Sequence, residues 1–528
     1  MSKPFTDIDG KALEALIARV TEAKENNLAL SPVDCQLLLD ALTTLIHMQE
    51  NISDHGITIH KLRKLLGIEK SSEKQSDLGS KPKSQKKNKT KHPKSNADFT
   101  QVKPKVVIHN LEDIKKGDDC PECFIGKVYK TDPGSLLRIT GQSPFTPEQH
   151  ILEKLRCNTC GAYFTAKLPD EVIADGSETQ KYGYSARTLM AIYKYFAGLP
   201  FYRQGSIQKL LGVKITASTT FDQVEYVGND IHPVFQYLFC QAGDAVHYYL
   251  DDTTNRILDQ DAIEKPRRNS DKTRMRTGVY TSGVIATTLD GHSIVLFETN
   301  IGHAGEFIDS ILVNRNASSS TPIIMSDALP CNRPSQGLEA TISLCNSHAR
   351  RHFVDVISHF PDEVDYVLER YGEIWTNEHK VIELALTPAK RRLYHVKHSL
   401  PIMEEIKTWG ETHLAKETVE ANSGLGKAIS YFINHYVGLI CFCTIMGAKL
   451  DNNAIEAMLK IIVRDRKNAM FHKTLHGATI GDIITSMIAT AAESGVNVFE
   501  YFTVLQQNKE KVRANPEHFL PWNYLENI

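Results

Sequence analysis

The chain has 528 residues, of which 41% are hydrophobic and 23% charged, and a formal net charge of −2. That length predicts three or four domains, and the composition supports packed cores rather than a disordered or collagenous chain. No run of about 18 apolar residues occurs, which excludes an expected membrane span; the opening Met1-Ser2-Lys3-Pro4-Phe5 has no apolar signal segment, so a cytoplasmic protein is expected.

From the N-terminus, Ser31-Pro32-Val33-Asp34 predicts a helix start, with Ser31 capping, Pro32 in the first turn and Asp34 at the positive end of the dipole. Leu38, Leu45, Ile52, Ile59 and Leu66 then recur every seven residues, the spacing of one coiled-coil seam. Gln49, Gly56 and Arg63 interrupt the companion seam, leaving a short zipper or ordinary intramolecular helix packing over 1–71. Residues 72–105 are rich in Ser, Lys, Asn, Gln and Pro, the composition of a disordered basic linker. Residues 61–110 carry 14 Lys or Arg against 4 acids, a local net of +10. Such a cluster is either a phosphate footprint or a solvated linker. Lys265, Arg267, Arg268, Lys272, Arg274 and Arg276 form a second basic patch.

The ten cysteines do not read as a disulfide framework. Cys120-Pro-Glu-Cys123 and Cys157-Asn-Thr-Cys160 are two knuckles at the spacing of a tetrahedral structural Zn²⁺ site, predicted for a module over 106–170. Cys35, Cys240, Cys441 and Cys443 lie in apolar stretches and are expected as small buried side chains. Over 171–240, helices are predicted from Ser185 to about Ala197, from Gln204 to Leu211, and after a cap at Thr216 or Ser218. This is either a helix-turn-helix, with Arg203 and Lys214 as DNA contacts, or a plain helical connection.

Strands are expected at 244–251, 278–287, 293–299, 322–327 and 341–345, with helices at 303–313 and 346–357, giving a mixed α+β core over 241–358. Residues 359–448 read as charged helices, with Leu368, Tyr371, Ile374 and Trp375 on one face, and 449–528 as the return to the core. Asp251 ends the run Val246-His-Tyr-Tyr-Leu-Asp251, Asp327 ends Pro322-Ile-Ile-Met-Ser-Asp327, and Glu456 lies in the first turns of a helix. Two acids at strand ends and one on a helix can converge on a pair of Mg²⁺ ions, which prefer oxygen ligands and can clamp the attacking and leaving oxygens of a phosphodiester. Asp252 competes with Asp251, but adjacent strand residues face opposite ways, so only one can enter the site.

Around these acids stand Leu250-Asp-Asp-Thr253, Cys345-Asn-Ser-His-Ala-Arg-Arg351, Asn452-Asn-Ala-Ile-Glu456 and Arg466-Lys-Asn468, after the four knuckle cysteines and Leu199-Pro-Phe-Tyr-Arg-Gln204. In this order the motifs resemble a transposase of insertion-sequence family sixty-six, a bacterial group with a DDE-type core, from about residue 30 to the C-terminus. The resemblance implies a multidomain α+β chain: a helical zipper, a Cys₄ zinc ribbon-like module, a helix-turn-helix, and an RNase H-like catalytic core with a helical insertion at 359–448. It implies Asp251, Asp327 and Glu456 as catalytic ligands of two Mg²⁺ (or Mn²⁺) ions. It implies Arg350, Arg351, Arg466 and Lys467 as contacts to DNA phosphates, and Cys345 with His348 as core support. The implied partners are the terminal inverted repeats of the element, target DNA, a second copy of the chain and small accessory transposition proteins. The implied location is the bacterial cytoplasm, on the nucleoid when bound to DNA. The alternative left open is a catalytically inactive, zinc-containing DNA-binding protein derived from a transposase.

Overall fold

The computed structural model describes residues 10–26, 29–39, 115–119, 127–128, 143–156, 163–177, 179–266, 273–335 and 339–527. The chain divides into two compact units, Met1–Ser84 and Gln85–Ile528. In the first, helix α1 spans Gly10–Glu25, and a second helical stretch covers 32–39. Its start follows the expected chemistry: Ser31 Oγ accepts from Asp34 N at 3.1 Å. Asp34 in turn takes Arg19 Nη2 at 2.8 Å, joining the two helical stretches. Leu38 is half-buried there. Leu45, Ile52, Ile59, Leu66 and the linker 72–105 lie outside the described residues.

The second unit begins with short pairings around the predicted zinc knuckles. Asp119 and Lys127 form an isolated antiparallel bridge, flanking 120–126. Strands β1 (Lys154–Arg156) and β2 (Tyr163–Thr165) pair antiparallel, flanking 157–162. Cys120, Cys123, Cys157 and Cys160 themselves lie outside the described residues.

After a short helical turn at Asp170–Ala174 come three longer helices: α2 (Tyr184–Tyr195), α3 (Phe201–Leu210) and α4 (Ala217–Ala242). Thr216 caps α4 by accepting from Thr219 N at 3.2 Å. Val224, Val227, Ile231, Val234 and Leu238 repeat at helical spacing and are fully buried, so one face of this 26-residue helix belongs to the core. Cys240 sits opposite that stripe, between buried Leu238 and Ala242, and is exposed, as is Cys35; the expectation of burial holds only for Cys441 and Cys443. An apolar neighbourhood in sequence does not choose the face of a helix.

Five strands form the main sheet: β3 (His247–Asn255), β6 (Val279–Thr287), β7 (Ser293–Asn300), β8 (Ile323–Ser326) and β9 (Thr341–Leu344), in spatial order β7-β6-β3-β8-β9. The three strands β7, β6 and β3 run antiparallel, while β3, β8 and β9 run parallel. A small antiparallel ribbon, β4 (Ile263–Pro266) with β5 (Thr273–Arg276), rises between β3 and β6. Strand β3 continues past Asp251 to Asn255, four residues beyond the expected end, because Asp252 to Asn255 keep pairing with Ser282 to Val279. Polar residues read from sequence as a strand end are here held by the ladder.

Helix α5 (Ala304–Leu312) packs on β3 and β6, and α6 (Asn346–Val354) follows β9. From there to residue 444 the described chain is helical, including α7 (Pro361–Glu383), α8 (Pro388–His398), α9 (Leu400–Ala415) and α10 (Gly424–Asn434). Tyr371, Ile374 and Trp375 of α7 are buried together as expected, while Leu368 of the same expected face is half-buried. Glu378 of α7 takes Arg391 Nη1 at 2.7 Å and faces His395 Nε2 at 3.0 Å, fastening α8.

The chain returns with α11 (Asn453–Ala469), whose Ile455, Leu459 and Ile462 pack on Ile285, Val295 and Phe297 of the sheet. Gly283 permits this approach: a Cβ there would lie 3.0 Å from Ile455 Cδ1 and 3.2 Å from Leu459 Cδ2. Helix α12 (Leu475–Glu493) runs along the edge strand β7. Thr490 Oγ1, Ser486 Oγ and Asp482 Oδ2 accept from Val295, Phe297 and Thr299 N at 3.0, 2.9 and 2.7 Å. Four helical residues rise about 6 Å and two strand residues span about 6.6 Å. The side chains therefore match the ladder and cover an edge that would otherwise be open to pairing.

Candidate active site

Alternation along β3 separates the two neighbouring aspartates. Tyr248 and Leu250 join the core formed with α4, whereas Tyr249 packs with the cluster beneath α11. Asp251 shares the face of Tyr249, and Asp252 the face of Leu250. On its own face Asp252 meets His303, the residue just before α5, with Oδ2 2.7 Å from Nδ1. That hydrogen bond holds the imidazolium form and raises the His303 pKa to about 9.

Asp327 immediately follows β8, whose parallel pairing with β3 (Tyr249 beside Met325) carries Asp327 toward Asp251. Its Oδ1 accepts from Leu329 N at 3.1 Å and Asn332 Nδ2 at 3.0 Å, so the turn after the strand orients the carboxylate. Glu456 lies in the first turn of α11. Asn452, just before that helix, is fully buried and donates Nδ2 to Leu250 O at 2.8 Å. Its N–H reaches Cys345 Sγ at 3.2 Å. The start of α11 is thereby tied to β3 beside Asp251 and to the end of β9.

Asp251 feels the other two carboxylates. Burial is the largest cause that pushes Asp251 up to about 7; the N–H of Asp252 at its Oδ1 opposes the rise, and the charges of Asp327 and Glu456 add to it. Glu456 Oε1 is buried without a hydrogen-bond partner, with His348 Nε2 3.7 Å away, and Arg351 Nη2 lies 3.7 Å from Oε2. An all-oxygen donor set with one desolvated member fits a divalent cation, whose charge would offset the burial of Asp251.

The CxxH pair lies against this site. Cys345 is buried, which pushes its thiol up to about 12, and burial lowers His348. Donor atoms of Cys345, His348 and Glu456 all lie within 4.8 Å of one another. Arg350 is half-buried and Arg351 exposed. Arg466 Nη1 donates to Thr253 Oγ1 and Thr254 Oγ1, each at 2.9 Å, at the end of β3. Lys467, Arg203 and Lys214 are exposed, the last two on and just after α3, away from the carboxylates in sequence and in elements. Sequence reasoning missed His303, Asn332 and the tying role of Asn452. Only Asn452 carried a signal, its place in the motif with Glu456.

Residues 181–480, more than half of the chain, match the family model described as "Transposase IS66 family". The chain belongs to this family. Three relatives from Sinorhizobium fredii carry the printed name "Uncharacterized protein". Similarity to y4jD is 27% identity over 188 residues, covering 35% of this chain and 36% of that protein. Similarity to y4hP is 22% over 395 residues, 71% and 67% of the two chains, and to y4qI 23% over 372 residues, 68% and 65%. The chain thus spans about a third of y4jD and about two thirds of the other two. Family membership supports a transposase role. The matched segment contains Asp251, Asp327 and Glu456 and begins after the knuckle cysteines. No helix among the described residues is long and apolar enough to cross a membrane.

Proposed function

We propose that this chain is a DNA transposase that binds the terminal inverted repeats of its element and catalyses Mg²⁺-dependent strand cleavage and strand transfer. The observation that supports the reading is that β3, the turn after β8 and the first turn of α11 bring Asp251, Asp327 and Glu456 near enough for the latter two charges to add to the rise that burial imposes on Asp251. The sheet, with three antiparallel strands followed by two parallel ones, supports an RNase H-like core.

Asp251, Asp327 and Glu456 would hold the metal. A divalent ion supplies there a lowered pKa for bound water and stabilisation of the attacking and leaving oxygens. The protein's share is preorganisation. Asn332 and Leu329 orient Asp327, Asn452 fixes the start of α11 to β3, and His303 pairs with Asp252 on the opposite face. Arg351 beside Glu456, with Arg350 and Lys467, would hold DNA phosphates. Arg466 would brace β3 through Thr253 and Thr254 while offering its remaining N–H groups.

The helix-turn-helix reading rests on α3, the turn at Gly212 and the first turn of α4, with Arg203, Lys209 and Lys214 exposed. Because one face of α4 is core, only its outer side and N-terminal turn are available to a groove. A Cys₄ zinc module is supported by the antiparallel pairings that flank both knuckles.

The deciding experiment is cleavage of element-end DNA by the full chain with Mg²⁺, beside binding to the same DNA. Asp251→Asn, Asp327→Asn and Glu456→Gln should each lower cleavage by at least about a thousandfold while binding stays, since the charge lost is the metal ligand. Asp252→Asn should be milder. Normal cleavage by any of the three variants would remove that residue from the site. End binding by the wild type without cleavage would favour the inactive DNA-binding alternative.

A further inference from the structure

A second group of donors stands on the opposite face of β3 from the three carboxylates. Carboxylate, imidazole and thiol atoms of Asp252, His303 and Cys331 all lie within 4.8 Å of one another. They come from three separate places: the middle of β3, the residue just before α5, and the 3₁₀ turn Pro330–Asn332 after β8. All three are half-buried, reachable from solvent but sheltered. The Tyr280 ring, 4.1 Å from that of His303, limits where the imidazole can swing.

We propose that Asp252, His303 and Cys331 form a binding site for a single Zn²⁺ ion, separate from the carboxylate site and from the four knuckle cysteines. An aspartate facing a histidine alone would be an ordinary ion pair. The third donor changes the chemistry, because a thiolate adds a soft ligand for which Mg²⁺ has little use and Zn²⁺ a strong preference. One oxygen, one nitrogen and one sulfur make three corners of a tetrahedron and leave the fourth for water or a further group. The Asp252–His303 contact, 2.7 Å in the hydrogen-bonded form, must open slightly to admit the ion. Binding releases the proton shared between these two groups and the proton of the thiol, so affinity rises with pH.

The position gives the ion a consequence. Asp252 adjoins Asp251, and Cys331 adjoins Asn332, whose Nδ2 holds Asp327 Oδ1 at 3.0 Å. Zinc would stitch the middle of β3 to the turn that orients Asp327, fixing the spacing of two of the three proposed catalytic acids from behind. The zinc site itself stands whether or not strand cleavage does.

Alkylation read at Cys331 tests it. The full chain, stripped with chelator and desalted, is treated with iodoacetamide alone, with ZnCl₂ and with MgCl₂, and the Cys331 peptide is quantified by mass spectrometry. Zinc should slow labelling of Cys331 by roughly tenfold or more, since a metal-bound thiolate is a poor nucleophile, and magnesium should not. His303→Asn should abolish the protection. Equal labelling of the wild type with and without zinc overturns the site, and so does protection that survives in both His303→Asn and Asp252→Asn. Zinc titration against a chromophoric chelator gives a measure independent of labelling: Cys331→Ser should hold one ion fewer per chain than the wild type. Equal stoichiometry in folded protein, checked by circular dichroism, also overturns the proposal.

Discussion

Single side chains in this protein are defined by which way a strand or helix turns them. Asp251 and Asp252 are adjacent and chemically identical, yet one is raised by burial with the charges of two other carboxylates adding to it and the other pairs with a histidine. Asp482 shows the same dependence on place. It is buried against Thr299, and burial pushes its carboxyl up to about 7 even though Thr299 N and Oγ1 both donate to it at 2.7 Å. The sign follows from proton counting: between about pH 4 and 7 the folded chain holds a proton that the unfolded chain has released. Stability should therefore fall as pH rises through that window and change no further above it. Asp482→Asn keeps an acceptor for Thr299 N and removes the charge. Urea midpoints for this variant should lose that part of the pH slope, on the order of a few kcal/mol at most. An unchanged slope would mean Asp482 is ionised throughout.

At the scale of elements, the candidate site depends on how closely α11 lies on the sheet. Gly283 pairs with Asp251 across β3 and β6 and leaves room for Ile455 and Leu459. Gly283→Val should push α11 outward, costing about 1–3 kcal/mol as an overpacked core does. Because Glu456 follows Ile455 directly, metal-dependent cleavage should drop further than thermal stability alone explains. Full cleavage by a folded Gly283→Val protein would show that the helix position is not limiting. A buried ion pair, Lys194 Nζ to Asp465 Oδ1 at 2.6 Å, ties the far part of α11 to α2. The strands and helices of the core were largely legible from sequence: five expected strands and the helices at 303–313 and 346–357 stand within a few residues of their observed bounds. Their apolar periods are local and strong. The extension of β3 to Asn255 was not legible, because its polar half is held by β6 rather than by its own burial.

For the whole molecule, the proposed transposase must hold two DNA ends at once, so self-association and phosphate affinity belong to the full chain. Removing residues 1–105 takes away the heptad segment and the basic run. The truncated chain should sediment as a smaller species, and its DNA binding should depend less steeply on salt, because fewer counterions are released. The same oligomer with and without those residues would remove the zipper from the scheme. Elemental analysis of chelator-free full-length protein should find zinc that falls in Cys120→Ser and Cys157→Ser, with loss of folding free energy in that module. Unchanged zinc in both variants would dismiss the knuckles as ligands.

The sequence by itself determined the family, the order of elements and three acids in fitting words, because motifs and apolar periods are written along the chain. It could not determine which cysteines are covered, or that His303 and Cys331 come to stand by Asp252. Those contacts join β3 to residues about 50 and 80 positions away, set by strand register and by the docking of α5. Register and docking are fixed by how whole faces bury against each other, so tertiary structure alone decided the surroundings of each acid.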